Sequence, residues 1–358
     1  MKINLQNLQK YGKDVLVHGV GFDVRKPTFM NLSVSNRCNA RCEMCDIWKY
    51  PSSDFTIQEL GQALANPYLS EIKNFGITGG EPFLRQDLPG VIKSASQYLS
   101  HLEVIGITTN GFNTERISRV LPEMIASKPE GVRLRITVSL DGVGEVHNQT
   151  RGVVGVFSKV EKTLDYLQSR FSNADTCFVD LACTITASNS SYKSLYQLNN
   201  YASKRNLPII YRLAVEVDRI FNEELIKTNG AHSEKFCDLD VQRFLEERIN
   251  EEKYGLRAAY YRMMLDYIKN PKAVRSISCK EKRDGIMVDS NGDIFVCSVS
   301  GMKIGNLFKD NPSMLEEEAR NSRKVVRNNY CASCFHDHMS HVPIKMVLPI
   351  LYSRITTK

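Results

Sequence analysis

No stretch of this 358-residue chain reaches the run of about 18–20 apolar residues that a membrane-crossing helix needs. The opening residues, MKINLQNLQKYGKD, lack the apolar core of a secretory signal, so a cytoplasmic location is expected. Charge is not massed either. Lys and Arg total 47 against 40 Asp and Glu, a net +7, and they are scattered along the chain. Without a concentrated basic face, no nucleic-acid partner is expected. A reducing compartment argues against disulfides, so ten cysteines need another explanation.

What is present is an ordinary globular composition, 42% hydrophobic and 24% charged. The length suits one large domain, or a large one with a small companion. Strand and helix patterns alternate from residue 29 to 217. MNLSVS, IKNFGITG, LEVIGITTNG, LRITVSLDG, CFVDLACTIT and PIIYRLAVEV read as six strands. Helical stretches follow them, the first opened by a Thr56–Glu59 capping-box spacing. Serial βα units imply parallel strands, because each return needs a crossover. An incomplete barrel and a flat doubly wound sheet both fit this order. Residues 218–235 are polar, 236–269 are helical, and GIMVDSNGDIFVC reads as a hairpin turning at Asn291–Gly292. The tail HVPIKMVLPILYSRITTK is apolar with basic ends and is expected to pack on the surface, a peripheral membrane contact being the alternative.

Seven cysteines are grouped; Cys177, Cys183 and Cys237 stand apart as core or incidental thiols. Cys38, Cys42 and Cys45 form C-x3-C-x2-C directly after the first strand, and no other cysteine follows before Cys177. A structural zinc site uses four ligands. A [4Fe–4S] cluster held by three cysteines leaves one iron open, and an open position is what a catalytic site keeps. Zinc with a remote fourth ligand is the competing reading.

Four further stretches follow successive strands, where parallel α/β sheets place ligands. They are TGGEP (78–82), TTNG (108–111), SLDG (139–142) with HNQTRGVVGVF after it, and ITASN (185–189). Paired glycines permit close backbone approach, and Glu81 supplies a carboxylate for an amine. His147 is read as a satisfied surface histidine.

C-x3-C-x2-C, GGEP, SLDG and the following RG-x2-G, on a six-fold βα frame, resemble the radical S-adenosylmethionine (SAM) enzymes over residues 28–335. The resemblance implies a partial (β/α)6 barrel and a SAM-binding [4Fe–4S] cluster on Cys38, Cys42 and Cys45. It implies that one electron splits the SAM sulfonium and that the 5′-deoxyadenosyl radical takes a hydrogen atom from substrate. By the same resemblance, Met44 lies beside adenine. Gly79, Gly80 and Glu81 receive the methionine amine. Ser139 and Asp141 are ribose-side candidates, Arg151 meets the SAM carboxylate, and Thr186 is an adenine-side candidate.

Cys279, Cys297, Cys331 and Cys334 form C-x17-C-x33-C-x2-C. Spacing alone leaves zinc open. The set resembles the twitch form of the SPASM domain, which implies one fully ligated auxiliary [4Fe–4S] cluster, as in dehydrogenases of aminoglycoside biosynthesis. His336, His338 and His341 are read as a solvated tail, with metal ligation as the alternative.

The expected organisation is an extension (1–28), the barrel (29–217), a helical linker (218–274), a small α+β auxiliary-cluster domain (275–335) and a tail (336–358). The expected activity is hydrogen abstraction from a small or carbohydrate-like molecule, fed by flavodoxin or ferredoxin. A peptide maturase is the enzymatic alternative; only about 28 residues precede the first strand, too few for a leader-binding domain. A cluster-binding regulator is the non-enzymatic one. On the sixth strand a charge against the helix layer is costly, so the set containing Arg212 and Glu216 is expected to face the lumen and meet substrate.

Overall fold

The computed structural model describes residues 26–50, 53–171, 177–215, 238–252, 255–277, 279, 281–332 and 334–339. Glu216, Cys237, His341, the 218–235 segment and the tail beyond 340 lie outside these described residues.

Six strands, β1 (Phe29–Ser33), β2 (Asn74–Thr78), β3 (Val104–Thr109), β4 (Arg133–Ser139), β5 (Cys177–Ile185) and β6 (Ile209–Leu213), run parallel in that order. Between them lie α1 (Ile57–Leu64), α2 (Leu88–Tyr98), α3 (Thr114–Ser127), α4 (Glu145–Arg151), α5 (Val156–Phe171) and α6 (Tyr192–Lys204). The capping box at Thr56 forms: Glu59 N–H donates to Thr56 Oγ1 at 3.1 Å and Thr56 N–H to Glu59 Oε2 at 2.7 Å. Helix α4 takes in the start of HNQTRGVVGVF, the stretch placed after SLDG in the sequence.

After α7 (Asp238–Glu252) and α8 (Leu256–Lys269) comes a one-turn helix, α9 (Glu281–Asp284). Strands β7 (Gly285–Val288), β8 (Asp293–Phe295) and β9 (Lys303–Asn306) and helix α10 (Pro312–Asn329) complete the described chain. The hairpin forms as read, with Met287 opposite Phe295 and the turn at Gly292, whose φ is +84°. Its first strand pairs in parallel with β1, Phe29 opposite Gly285. The sheet order is therefore β6-β5-β4-β3-β2-β1-β7-β8-β9, an open α/β sheet with no β6–β9 pairing among the described residues. The cysteine-rich C-terminal region is thus stitched onto the main sheet.

Alternation decides which face is which. On β4, Leu134, Ile136 and Val138 are fully buried under helices, while Arg135 and Thr137 point to the other face. On β6, Tyr211 and Leu213 are buried; the Tyr211 ring meets Phe244 of α7 edge-on at 4.8 Å. Ile210 and Arg212 line the opposite face, the orientation expected from the cost of burying a charge among helices. That inner face encloses a cavity of about 510 Å³. Gly76 and Gly106 keep its floor low, and Arg135, Thr137 and Arg212 make its walls polar. Cys177 and Cys183 are buried core thiols.

The opposite side of the cavity is closed by residues 336–339. Here the solvated-tail reading is corrected. His336, Asp337 and His338 face the cavity, and Asp337 Oδ2 lies 3.2 Å from Arg212 Nη2. Nearby charge draws the segment in, an effect the local sequence does not display.

Candidate active site

Because the strands are parallel, the segments after β1 to β5 emerge at one mouth. The cysteine loop leaves β1 and is held on both flanks. On one side, Gly80 N–H donates to the Ser35 carbonyl at 2.7 Å and Glu81 N–H to the Arg37 carbonyl at 2.8 Å. A Cβ at Gly80 would lie 2.2 Å from the Arg37 carbonyl oxygen, so only glycine permits this approach. Gly79 adopts φ +139°, and a Cβ there would lie 2.4 Å from the Ser35 carbonyl oxygen. On the other side, Arg41 N–H donates to the Arg151 carbonyl at 2.8 Å and Glu43 N–H to the Thr150 carbonyl at 3.1 Å. Gly152, at φ +64°, ends α4 against the Arg41 carbonyl.

Glu81 is 3% exposed. Its carboxylate accepts from Phe83 N–H at 3.1 Å, Thr109 Oγ1 at 2.7 Å and Asn110 N–H at 2.7 Å. It thereby ties the ends of β2 and β3, and burial still lifts its pKa above the ordinary carboxyl value. Asn110 continues the chain of contacts, donating to Asn39 Oδ1 at 2.7 Å.

Asp141 and Arg151 come together. Arg151 Nε lies 2.6 Å from Asp141 Oδ2, and Arg151 Nη1 donates to Cys42 Sγ at 3.4 Å. Asp141 is fixed further by Thr184 N–H, 2.9 Å from Oδ1, and by His147 Nδ1, which accepts from Asp141 N–H at 3.1 Å. His147 is fully buried, not a surface residue. Its ring meets Phe112 and Phe157 edge-on, each at 6.3 Å. Burial drives its pKa well below 6.5, with Arg151 adding to the effect. Ser139 stands half-buried at the end of β4 and Met44 half-buried between Glu43 and Cys45.

Thr186 is engaged by the cysteine loop itself: its hydroxyl donates to Glu43, and Ser188 Oγ donates to Glu43 Oε2 at 2.6 Å. Glu43, Asn110 and Asn189 were not singled out in the sequence. Asn189 is fully buried, and its side-chain amide donates to the Asp141 carbonyl at 2.8 Å. Two of them sat within the TTNG and ITASN stretches; their roles depend on contacts between strand ends.

The donor chemistry fits an iron–sulfur cluster. Burial pushes the Cys38 thiol up to about 11 and raises Cys42 too, while Arg151 pulls Cys42 down. Such thiols stay protonated near neutral pH unless a metal displaces the proton. Among the described residues, no three cysteine sulfurs converge within 4.8 Å, the spread that suits a single ion. A multi-iron cluster spans more.

Arg275 anchors the segment that carries Cys331 and Cys334. Its N–H donates to the Ala332 carbonyl at 2.6 Å and its Nη1 to the carbonyls of Cys334 and His336 at 3.0 and 2.9 Å. Cys279 forms an antiparallel bridge with Met339. The Cys297 loop is anchored where Ser298 N–H donates to Glu281 Oε2 at 2.8 Å. Among the described residues no helix is long and apolar enough to cross a membrane.

The sequence profile of the Radical SAM superfamily matches residues 32–183. GTP 3′,8-cyclase of Aliarcobacter butzleri is 30% identical over 151 residues, 41% of this chain and 43% of that protein. The match thus spans less than half of that relative. Among solved structures, Streptococcus suis SuiB bound to S-adenosylmethionine superposes with a TM-score of 0.55 at 17% identity, covering 86% of this chain and 69% of that one. The same protein bound to precursor peptide SuiA gives 0.57 at 15% identity, covering 92% and 73%. Native anSMEcpe with bound AdoMet and Cp18Cys peptide gives 0.54 at 17% identity, covering 82% and 81%. These likenesses establish a shared fold. The C-x3-C-x2-C loop and the glycine clamp lie inside the matched span, so residues 32–183 are similar in sequence to the Radical SAM superfamily.

Proposed function

We propose that this protein is an enzyme that cleaves S-adenosylmethionine reductively and takes a hydrogen atom from a small polar substrate held in the lumen. One observation carries the reading: the clamped cysteine loop stands at the mouth formed by the strand ends, and the same strands enclose the polar cavity of about 510 Å³. That volume lies in the range of small-molecule sites.

In this reading Cys38, Cys42 and Cys45 hold a [4Fe–4S] cluster. When bound, the cluster and SAM supply a carbon-centred radical. The remaining work belongs to the chain. Gly79 and Gly80 let backbone approach the ligand, Arg151 offers positive charge for a carboxylate, and Met44, Ser139 and Thr186 flank the nucleoside side. Asp141 acts as a positioning residue for Arg151. Arg212 and Glu216 are the substrate-side candidates. Cys279, Cys297, Cys331 and Cys334 hold an auxiliary cluster in a unit over 275–335, able to accept an electron if the product is oxidised. Flavodoxin or ferredoxin is the proposed donor.

A second reading, a peptide maturase, is favoured by the likeness over 92% of this chain to SuiB solved with a precursor peptide. Anaerobic reconstitution followed by SAM and dithionite tests both. Release of 5′-deoxyadenosine is expected, and its absence would leave the regulator reading. Mass spectrometry of candidate sugars, nucleotides and peptides then separates the two enzymes.

A further inference from the structure

We propose that His336, Asp337, His338 and Glu281 form a binding site for one divalent transition-metal ion on the wall of the lumen cavity. The site is distinct from both cysteine groups in its ligand chemistry, and it does not depend on the reaction proposed above.

The geometry is that of converging ligands. One donor atom each from His336, Asp337 and His338 lie within 4.8 Å of one another. His336 Nδ1 is 3.2 Å from Asp337 Oδ1, and His338 Nδ1 is 2.8 Å from Glu281 Oε1. At these separations a hydrogen bond should form. All four atoms are buried, and they are paired with one another across these short contacts. Imidazole and carboxylate atoms gathered this closely in a buried spot form a donor set that a single ion can share.

The outer contacts point the same way. Each carboxylate has one oxygen secured by the chain and the other turned into the group. Glu281 Oε2 accepts from Ser298 N–H and Oγ, both at 2.8 Å, which leaves Oε1 for the site. Asp337 Oδ2 is paired with Arg212 at 3.2 Å, which leaves Oδ1. Ligands oriented by second contacts of this kind are the usual support of a metal site. The backbone is held too: Arg275 donates to the carbonyls of His336 and His338 at 2.9 and 3.3 Å.

Two imidazoles and two carboxylates suit zinc(II), iron(II) or manganese(II), and Arg212 cancels only one of the two negative charges. Residues 336–338 border the cavity, so a bound ion is reachable from it. There it would hold or polarise an oxygen of whatever occupies the lumen.

The test uses the full chain with both iron–sulfur sites reconstituted anaerobically, then equilibrated with zinc(II) and desalted. About one zinc per chain is expected, with a zinc-edge absorption first shell of nitrogen and oxygen near ~2.0–2.1 Å. The H336A/H338A double variant should lose at least nine-tenths of that zinc and keep its iron. Should the double variant lose iron or fold, Glu281→Gln, which is nearly isosteric, should still weaken zinc retention about tenfold. A sulfur shell near ~2.3 Å would put the zinc on cysteines and overturn the proposal. So would zinc retention no greater than in the double variant, or no zinc retained at all.

Discussion

Arg151 bridges a buried carboxylate and a cysteine sulfur: Nε lies 2.6 Å from Asp141 Oδ2 while Nη1 donates to Cys42 Sγ at 3.4 Å. The pair links the end of β4 to the cysteine loop across the mouth. Both groups are almost wholly buried, so neither charge is solvated if the other is removed. Asp141→Asn should therefore destabilise the fold by about 3–5 kcal/mol, measured by urea unfolding. Adding Arg151→Met should recover part of that loss. A cost below about 1 kcal/mol would mean the pair is weaker than its burial implies.

The glycine clamp gives a paired prediction. Gly80→Ala sets a methyl 2.2 Å from the Arg37 carbonyl oxygen, and backbone cannot yield cheaply. Iron at the first site should fall several-fold while the second site keeps its own. Gly106→Ala faces open space, with nothing within 4 Å, and should leave both iron content and melting temperature near the parent. Equal behaviour of the two variants would defeat the clamp.

Metal removal follows from the two cysteine groups. Reconstituted protein should hold about eight irons, four for each cluster. Replacing Cys38, Cys42 and Cys45 with Ala should remove half of them and all 5′-deoxyadenosine formation. Replacing Cys331 and Cys334 should remove the other half. If the first triple variant still cleaves SAM, the cluster assignment fails.

His147 predicts an acid limb in stability. Its Nδ1 accepts from Asp141 N–H, which requires the unprotonated ring nitrogen, and burial depresses its pKa in the folded state. Below pH 6.5 the unfolded chain takes up a proton that the folded chain refuses. Stability should thus be full above pH 6.5 and decline below it, by up to about 1.4 kcal/mol per pH unit. His147→Asn retains an acceptor and does not titrate, so urea midpoints between pH 6.5 and 5 should flatten. An unchanged slope would assign the acid limb to other groups.

Arg212 lines the lumen and pairs with Asp337 at 3.2 Å. Arg212→Ala should lower substrate turnover at least tenfold. Slow SAM cleavage without substrate, and the iron content, should stay close to the parent values. Iron loss in this variant would show that the ion pair chiefly secures the segment next to Cys334.

Much of this was set by local pattern. Period-two alternation with an apolar set such as Leu134, Ile136 and Val138 declares a strand covered on one side, and serial βα order makes the strands parallel. Parallel strands in turn deliver TGGEP, TTNG, SLDG and ITASN to one mouth, so the candidate site was legible before any coordinate. Close packing of backbone left a mark as well, in Gly79, Gly80 and Gly152.

Tertiary structure alone decided the pairings between distant segments. That Glu43 receives Thr186, that Glu81 ties Thr109 and Asn110, and that His147 is buried under Asp141 depend on strand ends meeting in space. The attachment of β7 to β1, and the turning of His336, Asp337 and His338 toward the lumen, span more than 120 residues of chain. Periodicity reports only what lies within a turn or two of a residue. A histidine that finds a buried carboxylate and one left in water have the same neighbours in sequence, and only burial and charge from remote elements separate them.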